Sequence, residues 1–138
     1  AGIMPYIKFY LPDAIVVPLI VRSTLSSTEA EKIAARLARL ADSNTVLIAS
    51  VDFSHYLIAD TASRNDQTTL RIMREFDYNK LFTLNNDYVD SAPSIAILLM
   101  AMQGIHKSRF DVLYNTNSGI LEHNNFIKTT SYFSIGFN

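Results

Sequence analysis

Two apolar runs with an amphipathic segment between them constrain this chain more than anything else in it. Thr45–Val51 reads Thr-Val-Leu-Ile-Ala-Ser-Val, six of its seven residues apolar or β-branched, the pattern of a buried strand. Ala14–Val21 is apolar on both faces, as in a parallel sheet covered by helices on each side. Pro18 removes one ladder donor there and predicts a sheet edge or a bulge. Between the runs, Ser26–Asp42 carries Ala30, Ile33, Ala34, Leu37, Leu40 and Ala41 as one stripe at the 3.6-residue period. Ser26 or Thr28 can cap this helix, with Glu29 or Glu31 three residues on. A run, a helix and a second run predict a right-handed crossover and parallel pairing. The expected fold class is therefore α/β, a mixed, mainly parallel sheet flanked by helices on both faces.

The remaining elements follow from local signals. Pro5 suits the first turn of a short helix over Met4–Tyr10. A polar helical segment is expected over about Asp60–Phe76, and a short helix at Asn79–Leu84. Pro93 opens and Gly104 closes a helix whose run Ile95–Met102 is apolar throughout, so this helix should be buried nearly all round. Arg109–Thr116 and Thr130–Phe137 read as two more strands, with Asn117–Lys128 a long polar loop between them. With 138 residues, the chain is expected to form a single α/β domain.

Composition removes several functions. A net charge of −1 with no block of like charges argues against a nucleic-acid surface, which needs clustered Lys and Arg. The absence of cysteine leaves no disulfide framework and no thiolate ligand, and fits a cytoplasmic setting. No apolar run reaches the length needed to span a bilayer, and no signal peptide is visible. Four glycines leave little room for a phosphate-binding loop.

The chemistry concentrates where Thr45–Val51 breaks into Asp52, Ser54 and His55. In open α/β sheets, ligands collect just past the carboxyl ends of strands. Asp90, ahead of the buried helix, and Glu122 with His123 in the long loop are the other candidates. Two histidines and two or three carboxylates suit Fe(II) or Zn(II). They equally suit a metal-free His–Asp acid–base pair. A Ser54–His55–Asp hydrolase is disfavoured, because adjacent side chains on an extended segment point to opposite faces and no G-x-S-x-G elbow is present. The bland reading is that Asp52 caps a turn and His55 is a satisfied, half-buried histidine.

Met4-Pro5-Tyr6, Tyr10–Asp13, Ile15–Val21, Ala49–Tyr56, Asp90–Leu99 and Ser131–Phe137 resemble, in order, segments of the Memo-like family, whose microbial members are called AmmeMemoRadiSam system protein B. The stretch Ser50-Val51-Asp52-Phe53-Ser54-His55-Tyr56 is the most specific of them. The resemblance implies a fold similar to class III extradiol dioxygenases, which hold non-haem iron. It places Asp52 and His55 in a metal cleft as acid–base or substrate-orienting groups, and Asp90 as a metal ligand at a position held by cysteine in animal members. Fe(II), or another divalent metal such as Cu or Zn, is the implied cofactor. The family's two metal histidines would lie upstream of Ala1, so the resemblance implies the C-terminal half of a longer domain, with an incomplete metal site. Glu122 and His123 match no family motif and read as solvated loop residues. Two functions stay open: metal-dependent redox chemistry, and a non-enzymatic accessory module binding a small molecule, peptide or partner protein in the same cleft. Self-association, or pairing with a missing N-terminal half, is expected of such a chain.

Overall fold

The computed structural model describes residues 2–138. Its elements run α1 (Met4–Tyr10), α2 (Ser27–Leu40), β1 (His55–Leu57), α3 (Ala59–Arg74), α4 (Tyr78–Leu81), α5 (Ala92–Gly104), β2 (Phe110–Asn117), α6 (Ser118–Leu121) and β3 (Thr129–Phe137). The architecture is mixed α/β. Its sheet has three strands in the order β1-β3-β2, with both pairings antiparallel.

That sheet corrects the expectation of a mainly parallel one. Ala14–Val21 and Thr45–Val51 are not strands; each lies extended without a ladder. Among the described residues, no backbone hydrogen bond joins the two segments. Their alternation survives: Ala14, Val16, Leu47, Ala49 and Val51 are half-buried, while Ile15, Val17, Val46 and Ile48 face out. Each segment has the side-chain pattern of a strand and lacks the partner that makes one.

The helices follow their sequence signals closely. Ser26, rather than Thr28, caps α2, and Glu29 completes the reciprocal capping box. Accepting these bonds holds the Glu29 carboxyl below its ordinary value of 4.5, with the Ser26 hydroxyl the largest cause and its backbone N–H next. α5 is apolar on all sides, and Ile95, Ala96, Ile97, Leu99 and Ala101 are buried. One cluster joins Leu99 and Ile95 to Phe53, Ile72, Met73, Leu81 and Phe110. A second cluster packs Ile97 and Ala101 against Ala30 and Ala34 of α2, with Val21 and Leu47 at its margin. The approach of α2 to α5 is close enough that a Cβ on Gly104 would meet the Ala38 Cβ at 2.9 Å.

α3 buries Ala59, Ala62, Asp66, Thr69, Ile72 and Met73, a regular helical stripe that is polar in its middle. The long loop after β2 is broken by α6, whose first turn is capped by the Asn117 side chain accepting from the Ile120 N–H. Among the described residues, no helix is long and apolar enough to cross a membrane.

Candidate metal centre

The site is assembled where the extended segment from Thr45 first acquires long-range backbone hydrogen bonds. Phe53 N–H donates to the Ser131 carbonyl at 3.0 Å, and Ser131 N–H returns a bond to the Ser54 carbonyl at 2.9 Å. Phe53 also bridges Val89 in antiparallel fashion, and Asp90 N–H donates to the Asp52 carbonyl at 3.0 Å. The segment is therefore held to β3 and to the turn ahead of α5. The second of these links sets Asp90 beside Asp52. Phe53 anchors the arrangement from below, buried and edge-on to Phe133 at 4.5 Å between ring centroids.

Successive side chains then diverge as an extended backbone requires. Ser54 is fully buried, and its Oγ lies 2.7 Å from Asp66 Oδ1 and 3.2 Å from the Ala62 carbonyl. A serine hydroxyl has one proton, and the shorter, charge-assisted bond takes it. The other Asp66 oxygen accepts from Asn115 Nδ2 at 3.2 Å, and that amide also donates to the Tyr132 carbonyl. Ser54 is thus a structural hydroxyl, turned away from His55, and a serine hydrolase is ruled out by its placement. Asp66 and Asn115 were missed from sequence. A carboxylate at a stripe position of α3 is the one local signal that marks Asp66.

His55 lies half-buried on the opposite side. Its Nδ1 faces the Phe53 carbonyl oxygen, an acceptor, which places the ring proton on Nδ1 and leaves the Nε2 lone pair for a ligand or a proton. The next residue, Tyr56, takes a left-handed backbone at φ 56°, uncommon for a bulky side chain, and the β1–β3 register shifts there. This irregularity separates His55 from the regular ladder and sets the Tyr56 ring edge-on to the imidazole.

One donor atom each from Asp52, His55 and Asp90 lies within 4.8 Å of the other two. Around a divalent ion with bonds of about 2.1 Å, donors sit roughly 3–4 Å apart, so modest side-chain rotation closes this set on one ion. One imidazole and two carboxylates are a borderline-to-hard donor set, suited to Fe(II) or Zn(II). Partial burial raises the Asp90 carboxyl above its ordinary value of 3.8. The Asp52 carboxylate adds to that rise, while a backbone hydrogen bond at Asp52 and the His55 imidazole oppose it. Two like charges held together in this way are what a cation relieves. Glu122 and His123 are exposed and stand outside this group.

Comparison with known proteins agrees with the residues. The family model described as Memo-like protein matches residues 3–134. A MEMO1 family protein of Metallosphaera sedula is 24% identical over 123 residues, covering 84% of this chain and 43% of the relative. A MEMO1 family protein of Pyrobaculum aerophilum is 26% identical over 121 residues, again covering 84% and 43%. The chain spans less than half the length of these curated relatives. The family match takes in Asp52, His55, Asp90 and both extended apolar segments, and on that extent the chain belongs to the Memo-like family.

Proposed function

We propose that Asp52, His55 and Asp90 form part of a divalent-metal cleft, with further ligands supplied by polypeptide beyond this chain. The observation that carries this reading is the convergence of three donor atoms, from the start of β1 and the turn ahead of α5, within 4.8 Å of one another. Asp90 is assigned as the metal ligand. Asp52 and His55 line the same cleft as proton-handling or substrate-orienting groups, His55 through the Nε2 left free by its Nδ1 contact. A bound Fe(II), Cu or Zn ion would supply Lewis acidity and, for the first two, redox chemistry of the dioxygenase-like kind. A small molecule or peptide is the expected cleft occupant, and the setting is cytoplasmic.

Elemental analysis tests the reading on two proteins purified without chelator: this chain, and the chain extended upstream to the length of its relatives. Stoichiometric metal in the extended protein, lost on Asp90→Ala, is the expected result. No metal in either form overturns it and moves the function to a metal-free cleft that binds a partner.

A further inference from the structure

β3 turns one face to the helices. Thr129, Ser131, Phe133, Ile135 and Phe137 alternate on that face, and the three apolar ones pack against the main cluster. Toward its start the same face is polar. Thr129 is 1% exposed and Ser131 0%, and the hydroxyl oxygens of both are buried without a hydrogen-bond partner among the described residues. Other buried hydroxyls nearby are bonded: Ser54 to Asp66, and Thr69 to the Asn65 carbonyl at 3.1 Å. A buried hydroxyl without a bond is costly, and native interiors rarely keep one. Thr129 and Ser131 cannot satisfy each other. Two residues along a strand advance about 6.6–6.8 Å. A direct bond between two hydroxyls spans about 5.6 Å between their Cβ atoms, whereas a bridge through one water spans about 8.4 Å. The Thr129 methyl group is turned to α6, where a Cβ on Gly119 would meet it at 3.0 Å, so the hydroxyl points elsewhere.

α3 supplies acceptors above this stretch. Ala59 N–H donates to the Asn125 carbonyl at 3.3 Å, so the helix starts beside the loop that leads into β3. Ser131 N–H donates to the Ser54 carbonyl, and Ser54 Oγ lies 3.2 Å from the Ala62 carbonyl and 2.7 Å from Asp66 Oδ1. Asp66 also accepts from Asn115 on β2, and β3 lies between β2 and β1. Its carboxylate therefore spans β3 beside Ser131. The single Ser54 proton goes to Asp66, which leaves the Ala62 carbonyl a lone pair to spare. We propose that one internal water sits between β3 and α3. It accepts from the Thr129 and Ser131 hydroxyls and donates to the Ala62 carbonyl and the Asp66 carboxylate. Four such partners are what a buried water takes. A cation fits less well. It would take the two hydroxyl oxygens as ligands and turn their protons away from itself, where neither finds an acceptor. The water completes the polar seam by which α3 holds Ser54, and with it the segment that carries Asp52 and His55. It is independent of the metal reading, because His55 stands opposite Thr130, whose side chain lies on the other face of the sheet.

A crystal structure of the full chain, at a resolution that separates single waters, tests this first. The expected result is one solvent peak at about 2.7–3.2 Å from both hydroxyl oxygens and from at least one of the two α3 acceptors. No peak there overturns the water, as does a direct bond from either hydroxyl to Asp66 or Ala62. A peak ringed by five or six oxygens at metal–ligand distances assigns a cation, and also overturns it. Oxygen-17 relaxation dispersion gives a second measurement in solution, since it counts long-lived waters and is blind to exchange of hydroxyl protons. The double variant Thr129→Val, Ser131→Ala, folded by circular dichroism, should lose one long-lived water per molecule relative to the parent chain. An unchanged count overturns the proposal. Where the double variant does not fold, the crystal structure of the parent chain decides.

Discussion

At Ser54 a single hydroxyl proton decides between a catalytic and a structural role, and it is given to Asp66. The Asp66 carboxylate is almost fully buried, and no salt bridge to it is found among the described residues. Among the described residues, its side-chain hydrogen bonds come from Ser54 and Asn115. Removing one donor from a buried acceptor costs the desolvation of what is left, about 1–3 kcal/mol. Ser54→Ala is therefore expected to lower stability by that amount in urea melts. Asp66→Ala should cost at least as much, because it removes the acceptor shared by Ser54 Oγ and Asn115 Nδ2 and leaves a void in its place. A neutral outcome for both substitutions would remove this network as the anchor of the loop. The legible and illegible parts of the site divide along the same line. Asp52 and His55 stand together at the end of an apolar run, and Asp90 stands just ahead of a proline-started helix, so sequence spacing exposes all three. Asp66 and Asn115 are 49 positions apart, and no local pattern pairs them.

The elements divide according to whether their hydrogen bonds are local. α2 and α5 were readable almost residue by residue, since capping, periodicity and the Pro93 and Gly104 boundaries act within a few positions. β2 and β3 were also readable as strands, though their antiparallel pairing was not, since the expected sheet was mainly parallel. Ala14–Val21 and Thr45–Val51 carry equally strong strand signals and still form no strand. A strand is a relation between two segments, and the sequence of one segment carries only half of it. Within α5, burial is finer than its uniform composition suggests. Leu99 is 1% exposed inside the main cluster, whereas Leu98 is only half-buried. Leu99→Ala is expected to cost about 2–5 kcal/mol, and Leu98→Ala distinctly less. Equal shifts in the denaturation midpoints of the two variants would mean that the helix is rotated from the orientation described.

At the scale of the molecule, the chain has two well-formed clusters and one face with the composition of an interior. The completed clusters hold α2, α3, α5 and the three-stranded sheet together, so folding of this part does not wait for the open face. The open face instead governs association, because apolar side chains exposed next to unpaired backbone favour strand pairing between molecules. Ile20 separates these two roles, since its side chain is 99% exposed and contributes almost nothing to packing within this chain. Ile20→Lys should leave the stability of the isolated chain within about 0.5 kcal/mol, as for a surface substitution. It should also reduce self-association in light scattering. If a protein carrying the whole length of its relatives buries this position, an unpaired lysine there pays for desolvation, and the substitution should destabilise that protein by about 2 kcal/mol or more. The difference in size between the two contexts is the measurement that matters. A lysine tolerated equally well in both would show that the outward face stays in water, and that its apolar composition has another cause than burial.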